Sequence, residues 1–462
     1  MRWIAAGLAV LALAACAGPR PQAPSAAMVT APPQWRTTPD AGARVDGAWW
    51  ASFGDPALTA VVETALARNT DIAVAAARVE EARGQFRLAQ AQRRLDVSGS
   101  IVGGRQRFVS PFATPDEQTY GEGDVDVAYD LDLFGRLRNA SKAARASLLA
   151  TEAARDGVRL AVAASAAGGY ITLRALDARL AVLRGTLRAR EESLALTRRR
   201  TEAGYSPRLD LQQAEAEYYA AAQLIPATEA AIARQENGLA VLLGDNPRSI
   251  ARGRALDELR LPAVPAGLPA DLLRRRPDLA QAEQQIVAAD RSLDSVRAAF
   301  MPDIQLTVSG GWIGTTALVV DPIGLWNVGG SVLGPIFDAG RLRAQQSTAA
   351  ARRDQAAFAY RKAALTAFSE VDNALNAERR LAEQAKALDA QRDALARALV
   401  LATNRYRSGY ATYLEQLDAE RSLLSADLTV VQVRSDRLTT SVTLFQALGG
   451  GWSTPPVDRP RP

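Results

Sequence analysis

Apolar and polar positions alternate strictly in two stretches of the chain. Between residues 118 and 134, Val125, Val127, Tyr129, Leu131 and Leu133 fall on one side of the alternation, and Asp124, Asp126, Asp130 and Asp132 on the other. Between 304 and 312, Ile304, Leu306, Val308 and Trp312 oppose Gln305, Thr307 and Ser309. A period of two is that of a strand with one wet face. Glycine-rich stretches at 97–103 and 328–336 repeat the pattern more weakly, so strands are expected near 96–108, 118–133, 303–314 and 326–337. Their length of about ten residues suits a barrel in an outer membrane, although a soluble hairpin alternates in the same way. Four strands cannot close a barrel, and lipid does not tolerate an open edge, so in a membrane several chains would have to supply one barrel.

Elsewhere the period is that of helix. Residues 139–200 and 344–404 are rich in alanine and free of proline, which favours two long helices. At about 1.5 Å per residue, each would reach about 90 Å. Each meets a Gly-Tyr pair and is expected to return through a second helix, over 209–243 and 413–448, the first kinked at Pro226. A coiled-coil stalk without a lumen would carry the same pattern.

The chain is written twice. Gly135-Arg136-Leu137-Arg138 recurs about 205 residues later as Gly340-Arg341-Leu342-Arg343, and at the same spacing Gly204-Tyr205 matches Gly409-Tyr410 and Ala214-Glu215 matches Ala419-Glu420. Collinear matches over most of the chain indicate an internal duplication. They divide it into residues 49–245, a linker at 246–265, a second repeat at 266–448 and a tail at 449–462.

Composition changes this picture mainly by exclusion. The 462 residues contain no histidine and one cysteine, which removes histidine-based nucleophile activation, imidazole and thiolate metal sites and internal disulfides. No nucleophile–base constellation, P-loop or cofactor motif appears, so neither an enzyme nor a bound cofactor is expected. The net charge of +5 does not point to nucleic acid, because the basic residues are scattered and not interleaved with stacking aromatics. The cysteine has a more specific context. Met1-Arg2 and an apolar run precede Leu13-Ala14-Ala15-Cys16, so residues 1–15 read as a signal peptide and Cys16 as a lipidation site, with Ala17 favouring sorting to the outer membrane. Residues 16–48 would be a Pro/Ala-rich tether and belt segment with little reason to pack.

Several motifs then fall in order. They include Trp49-Trp50 with Phe53-Gly54-Asp55-Pro56, Asp130-Leu131-Asp132-Leu133-Phe134-Gly135-Arg136-Leu137, and Arg274-Arg275-Arg276-Pro277-Asp278-Leu279. Further on come Phe300-Met301-Pro302-Asp303, Pro335-Ile336-Phe337-Asp338-Ala339-Gly340-Arg341 and Leu417-Asp418-Ala419-Glu420-Arg421-Ser422. With the anchor, strands and helical hairpins, they make the chain resemble the TolC-like outer-membrane efflux proteins, in their OprM/NodT-like lipoprotein branch. The resemblance implies a mainly α fold with transmembrane β: a homotrimer whose helical hairpins form an α-barrel and whose four strands per chain complete a twelve-stranded β-barrel. It implies a passive duct for drug-like or toxic small molecules, held in the outer membrane of a Gram-negative bacterium by lipid on Cys16. Its partners would be a periplasmic adaptor and an inner-membrane pump of the proton-driven RND type. A type I protein-secretion outlet shares the fold, and a structural lipoprotein without a channel remains an alternative.

The resemblance also implies sites. Leu414, Asp418 and Arg421 share one helix face and match positions lining the closed periplasmic end. Tyr406, Arg405 and Arg407 are expected to latch the return helix to them. The first hairpin has Thr201 and Gln213 at the places of Tyr406 and Asp418, so the gate should be asymmetric. Spacing alone would read Asp418 and Arg421 as an exposed pair on one helix. Gly204, Tyr205, Gly409 and Tyr410 would form the adaptor-docking tips, or serve helix reversal only. Asp124, Asp126, Asp130 and Asp132 would face the barrel lumen and favour cations.

Overall fold

A computed structural model describes residues 19–37, 47–109, 115–263, 267–316 and 322–452. Cys16, the expected signal peptide and residues 453–462 of the tail lie outside them. In chain order the helices and strands are α1 (Pro56–Arg68), α2 (Thr70–Ala91), β1 (Asp96–Val109), β2 (Pro115–Asp130), α3 (Arg136–Glu202), α4 (Arg208–Ala222) and α5 (Leu224–Leu242). They continue with α6 (Pro269–Leu272), α7 (Pro277–Ala298), β3 (Asp303–Thr315), β4 (Ile323–Leu333), α8 (Arg341–Arg407) and α9 (Tyr413–Ala447). The long helices α3 and α8 have 67 residues each, about 100 Å of helix. The first return helix is divided at Gln223, three residues before Pro226, whose ring and missing N–H are tolerated in the first turn of α5.

The described chain forms two compact units, and neither is a sequence repeat. One comprises the described residues within Met1–Val29, Ala77–Ala153 and Gln281–Ala363; the other comprises those within Thr30–Ala76, Ala154–Ala280 and Ala364–Pro462. Each therefore draws on both halves of the duplicated sequence.

The first unit holds the sheet, four antiparallel strands in the order β1-β2-β3-β4. Its register puts Val97 opposite Val127, Val127 opposite Val308 and Val308 opposite Val328, so these side chains share one face. Ser98, Asp126, Ser309 and Asn327 form the next row, on the other face. The apolar face is widely exposed, with Ile101 at 87% and Trp326 at 82%. Gly123 lies beneath the Trp312 indole, where a Cβ would stand 2.8 Å from the ring nitrogen, so that glycine is needed for the close approach. Among the described residues β1 and β4 each pair along one edge only.

Two strand ends differ from the expected ones. β2 stops at Asp130 and β4 at Leu333, several residues early. Asp132 is therefore not a strand residue. It takes a φ of 42°, and its carboxylate accepts the N–H groups of Leu137 (2.9 Å) and Arg138 (2.8 Å), capping α3. Alternation persists through Leu133 only as composition.

The N-terminal segment in this unit is packed, contrary to the expected free tether. Arg20 pairs with Asp290 (2.7 Å) and Asp294 (3.0 Å) on α7. Arg353 on α8, 3% exposed, donates to the Pro21 (2.6 Å) and Gln22 (2.7 Å) carbonyls, and Arg297 to that of Pro19 (3.0 Å). Arg361 reaches the Ala26 carbonyl.

The core of the second unit gathers Trp49, Phe53, Leu58, Val62, Ile171, Leu239 and Phe445, with Trp49 stacked on Phe445 at 5.1 Å. Trp35 is buried here, its indole N–H donating to the Gly267 carbonyl at 2.9 Å. Asp55, buried, caps α1 through the Ala57 N–H (2.8 Å) and accepts from the Tyr170 hydroxyl (3.0 Å) and the Arg254 N–H (3.1 Å). The Tyr170 oxygen in turn accepts the Gly253 N–H at 2.8 Å. One carboxylate thus pins the segment after α5 to α3. Burial, with the Asp55 charge beside it, pushes the Tyr170 phenol up to about 12, so it stays a donor at neutral pH.

Candidate functional site

The expected gate and tip residues all lie in the second unit. Both long helices end in the same way. Gly204 has φ 79° and Gly409 φ 81°. The Gly204 N–H donates to the Thr201 carbonyl (3.0 Å) and the Tyr205 N–H to that of Arg200 (2.8 Å); Gly409 to Tyr406 (3.0 Å) and Tyr410 to Arg405 (2.9 Å) repeat the pair. This is a Schellman cap, which needs the glycine and nothing from the tyrosine side chain. Tyr205 and Tyr410 are nevertheless 79% and 81% exposed, large aromatics in water.

Behind the tips, three helices meet at one ion cluster. Glu217 on α4 is 7% exposed. Its carboxylate accepts Arg190 of α3 at 2.6 Å, and Arg190 also donates to the Glu217 carbonyl at 2.6 Å. Arg421 of α9 closes both ends of its fork on Glu217 Oε1, the Nε contact being 2.9 Å. Arg421 therefore does not form the pair with Asp418 that its spacing suggests. Asp418 is exposed and makes no hydrogen bond or ion pair among the described residues, and Leu414 is 58% exposed on the same face.

Tyr406 is buried at 3% exposure and joins the two hairpins from the other side. Its hydroxyl lies 3.4 Å from Thr197 Oγ1, its carbonyl accepts Arg200 at 2.9 Å, and the Arg200 guanidinium sits 4.8 Å above its ring. It packs on Tyr413 at 5.6 Å, in a small core with Ala214 and Leu417. Tyr406 thus contacts the return helix by packing and spends its polar contacts on α3. Arg405 lies 3.5 Å from Glu415, and Arg407 has no ion pair among the described residues.

The four acids expected to face the barrel lumen are not equivalent. Asp124 and Asp126 share the polar face of β2, opposite Ser100 and Ser98. Asp130 ends the strand and is held by Arg136 at 2.7 Å, which also reaches Asp303 at 3.1 Å. With Asp132 committed to its cap, Asp124 and Asp126 remain on this face together with Glu122, which shares their parity.

Sequence reasoning did not single out Glu217, Arg190, Arg200 or Thr197. Glu217 lies 204 residues from Arg421, and the duplicated position about 205 residues after Glu217 is Ser422, so the repeat gives no hint of it. The one available signal was the row of acids at Glu215 and Glu217 facing basic neighbours across the turn.

Comparison with known proteins places the chain in a family. The family model described as outer membrane efflux protein matches residues 61–245 and 268–450, the two repeats. The chain is 37% identical over 444 residues to the toluene efflux pump outer membrane protein TtgC of Pseudomonas putida, covering 94% of this chain and 91% of that one. It is 32% identical over 423 residues to the probable outer membrane lipoprotein SilC of Salmonella typhimurium, covering 90% of each. Its fold matches the open-state Neisseria gonorrhoeae MtrE outer membrane channel with a TM-score of 0.83 and 30% identity, over 94% of this chain and 98% of that one. Duplicated hairpins, a sheet sorted into an apolar and a polar face, and matches spanning both repeats have one meaning: the chain belongs to the outer membrane efflux protein family, the TolC-like channels whose motifs it carries.

Proposed function

We propose that this chain is the outer-membrane duct of a tripartite efflux system, passing drug-like or toxic small molecules without chemical change. The observation that carries the reading is the sheet: its apolar face is exposed to an extent water disfavours, and its outer edges lack strand partners among the described residues. Three copies would join β4 of one to β1 of the next and remove every edge, giving twelve strands with lipid outside and Asp124 and Asp126 inside. Acyl chains on Cys16 would anchor each copy.

In this reading the helix ends are the periplasmic gate. The Arg190–Glu217–Arg421 cluster and Tyr406 hold the second hairpin to the first, and the unpaired Asp418 presents its charge to the passage. The exposed Tyr205 and Tyr410 would meet the periplasmic adaptor, which links the duct to a proton-driven RND-type pump. The native mass of the detergent-extracted mature protein tests the assembly. A trimer with acyl mass on each Cys16 is expected; a stable monomer would leave four strands unable to close and would sink the reading.

A further inference from the structure

Glu420 on α9 differs from every other acid at the helix ends. Its Oε1 accepts from Gln416 Nε2 at 2.7 Å and from Ser193 Oγ at 3.2 Å. Its Oε2 is sealed from water and has no donor among the described residues. Gln416, 4% exposed, leaves its own Oε1 in the same condition. Both residues line a cavity of about 940 Å³ bounded by α3, α8 and α9, with Leu196, Arg200 and Leu399 on its walls. A carboxylate there forfeits the hydration of one oxygen and gains no partner for it. A carboxylic acid avoids most of that penalty, because the charge is gone.

The surrounding charges do not reverse this. Arg190 on α3 and Arg421 on α9 are committed to Glu217 on α4, and Arg200 on α3 to Tyr406. Glu192 and Arg199 on α3 and Arg407 on α8 stand on the cavity wall without contacting the Glu420 carboxyl. Tyr413, on the same helix, is a phenol that burial pushes above its ordinary range, so it remains neutral. Burial raises Glu420, while Gln416, Ser193 and Arg190 pull it down without cancelling the rise, and Glu217 adds to it.

We propose that closure of the helix ends takes up a proton at Glu420: the packed arrangement holds a neutral carboxylic acid, and separation of α9 from α3 returns it to water as a carboxylate. The proposal rests on reading these ends as the gate and adds how that gate is regulated. Its sign follows from linkage. The closed state binds the proton more tightly, so the contribution of Glu420 to closure is complete below the ordinary glutamate range and is lost as pH rises through the raised value. Acidification of the periplasm would tighten the tip, and a rise in pH would loosen it. The arginines stay charged throughout and supply the part of closure that does not titrate.

The test is single-channel recording of the full-length protein in planar bilayers, together with hydrogen exchange along the start of α9, each followed from below the ordinary glutamate range up to neutrality. For the parent, open probability should rise at least about fivefold over that range, and α9 amides, corrected for intrinsic rates, should lose protection. Glu420→Gln, which mimics the neutral acid, should stay at the parent's acidic level at every pH, whereas Asp418→Asn should keep the pH dependence. Equal pH profiles for the parent and Glu420→Gln, or parental α9 protection independent of pH, would overturn the proposal. A parent that carries no current at any pH, yet protects α9 more at the acidic end, would retire the duct reading and leave the proton linkage standing.

Discussion

Arg421 of α9 does not turn to Asp418, three residues away on its own helix; it closes its guanidinium fork on Glu217, 204 residues earlier in the chain. Because Arg190 holds the other carboxylate oxygen, one buried acid carries two guanidinium groups from two helices. Removing that acid is therefore unlike removing either arginine. Glu217→Gln leaves Arg190, 5% exposed, without its counter-charge and should cost about 3–5 kcal/mol of local stability. Arg421→Gln leaves Glu217 still paired and should free only the second hairpin, raising open probability about tenfold. Asp418→Ala, with no contact to lose, should alter conductance and its dependence on cations. Planar-bilayer recordings of the three variants check the order; an Asp418→Ala channel indistinguishable from the parent would remove Asp418 from the passage.

The two faces of β2 give a prediction that tests whether the apolar face lies in lipid. Asp126→Cys should react with a membrane-impermeant thiol reagent, and Val127→Cys should not, since adjacent residues face opposite sides of the sheet. Cys16 should be silent in both if it is acylated. Equal labelling at both positions would mean that the apolar face is wet and the sheet is not in lipid.

The Asp55–Tyr170 pair gives the second unit an alkaline limit. The Tyr170 phenol is raised to about 12, so its contribution is intact below the ordinary phenol value near 10 and is lost as pH rises through about 12. The thermal midpoint should therefore not respond to this group from neutrality to about pH 9.5, and should fall above it. Tyr170→Phe should lower stability by about 1–2 kcal/mol at neutral pH and reduce the alkaline slope. An unchanged slope in Tyr170→Phe would show that other groups set the limit.

At the tips, glycine and tyrosine should separate cleanly. Gly409→Ala forces a Cβ into a left-handed position and should cost about 1 kcal/mol. Tyr410→Ala removes a side chain that buries almost nothing and should leave the melting curve unchanged. If the adaptor docks here, Tyr410→Ala should still weaken cross-linking to it in intact cells. Unchanged cross-linking in a Tyr205→Ala/Tyr410→Ala double variant would return both turns to helix reversal alone.

What could be read from the sequence was what repeats locally. Strand parity, the paired glycines and the long proline-free helices each leave a period or a composition, and each is present in the fold. Asp132 and Leu133 show where a period misleads: the alternation continues past Asp130, while the chain has already turned to cap α3. Glu217 shows the opposite failure. Its partners come from α3 and α9, it has no counterpart in the second repeat, and nothing local distinguishes it from Glu215, which pairs with Arg198 at the surface. Gln223 ends a helix three residues before the proline that marks it, because a proline in a first turn is acceptable and the irregularity moves upstream.

The N-terminal strap was misread for a related reason, and its mode of attachment constrains how this family member can change. Arg297, Arg353 and Arg361 grip main-chain carbonyls of residues 19–26, a group every amino acid possesses. Apart from Arg20, the strap can exchange one residue type for another almost without penalty. What it cannot absorb is a change in count, since one inserted or deleted residue shifts each carbonyl away from its arginine. Such a segment should drift in composition while keeping its length, a ruler graduated in peptide units rather than in side chains.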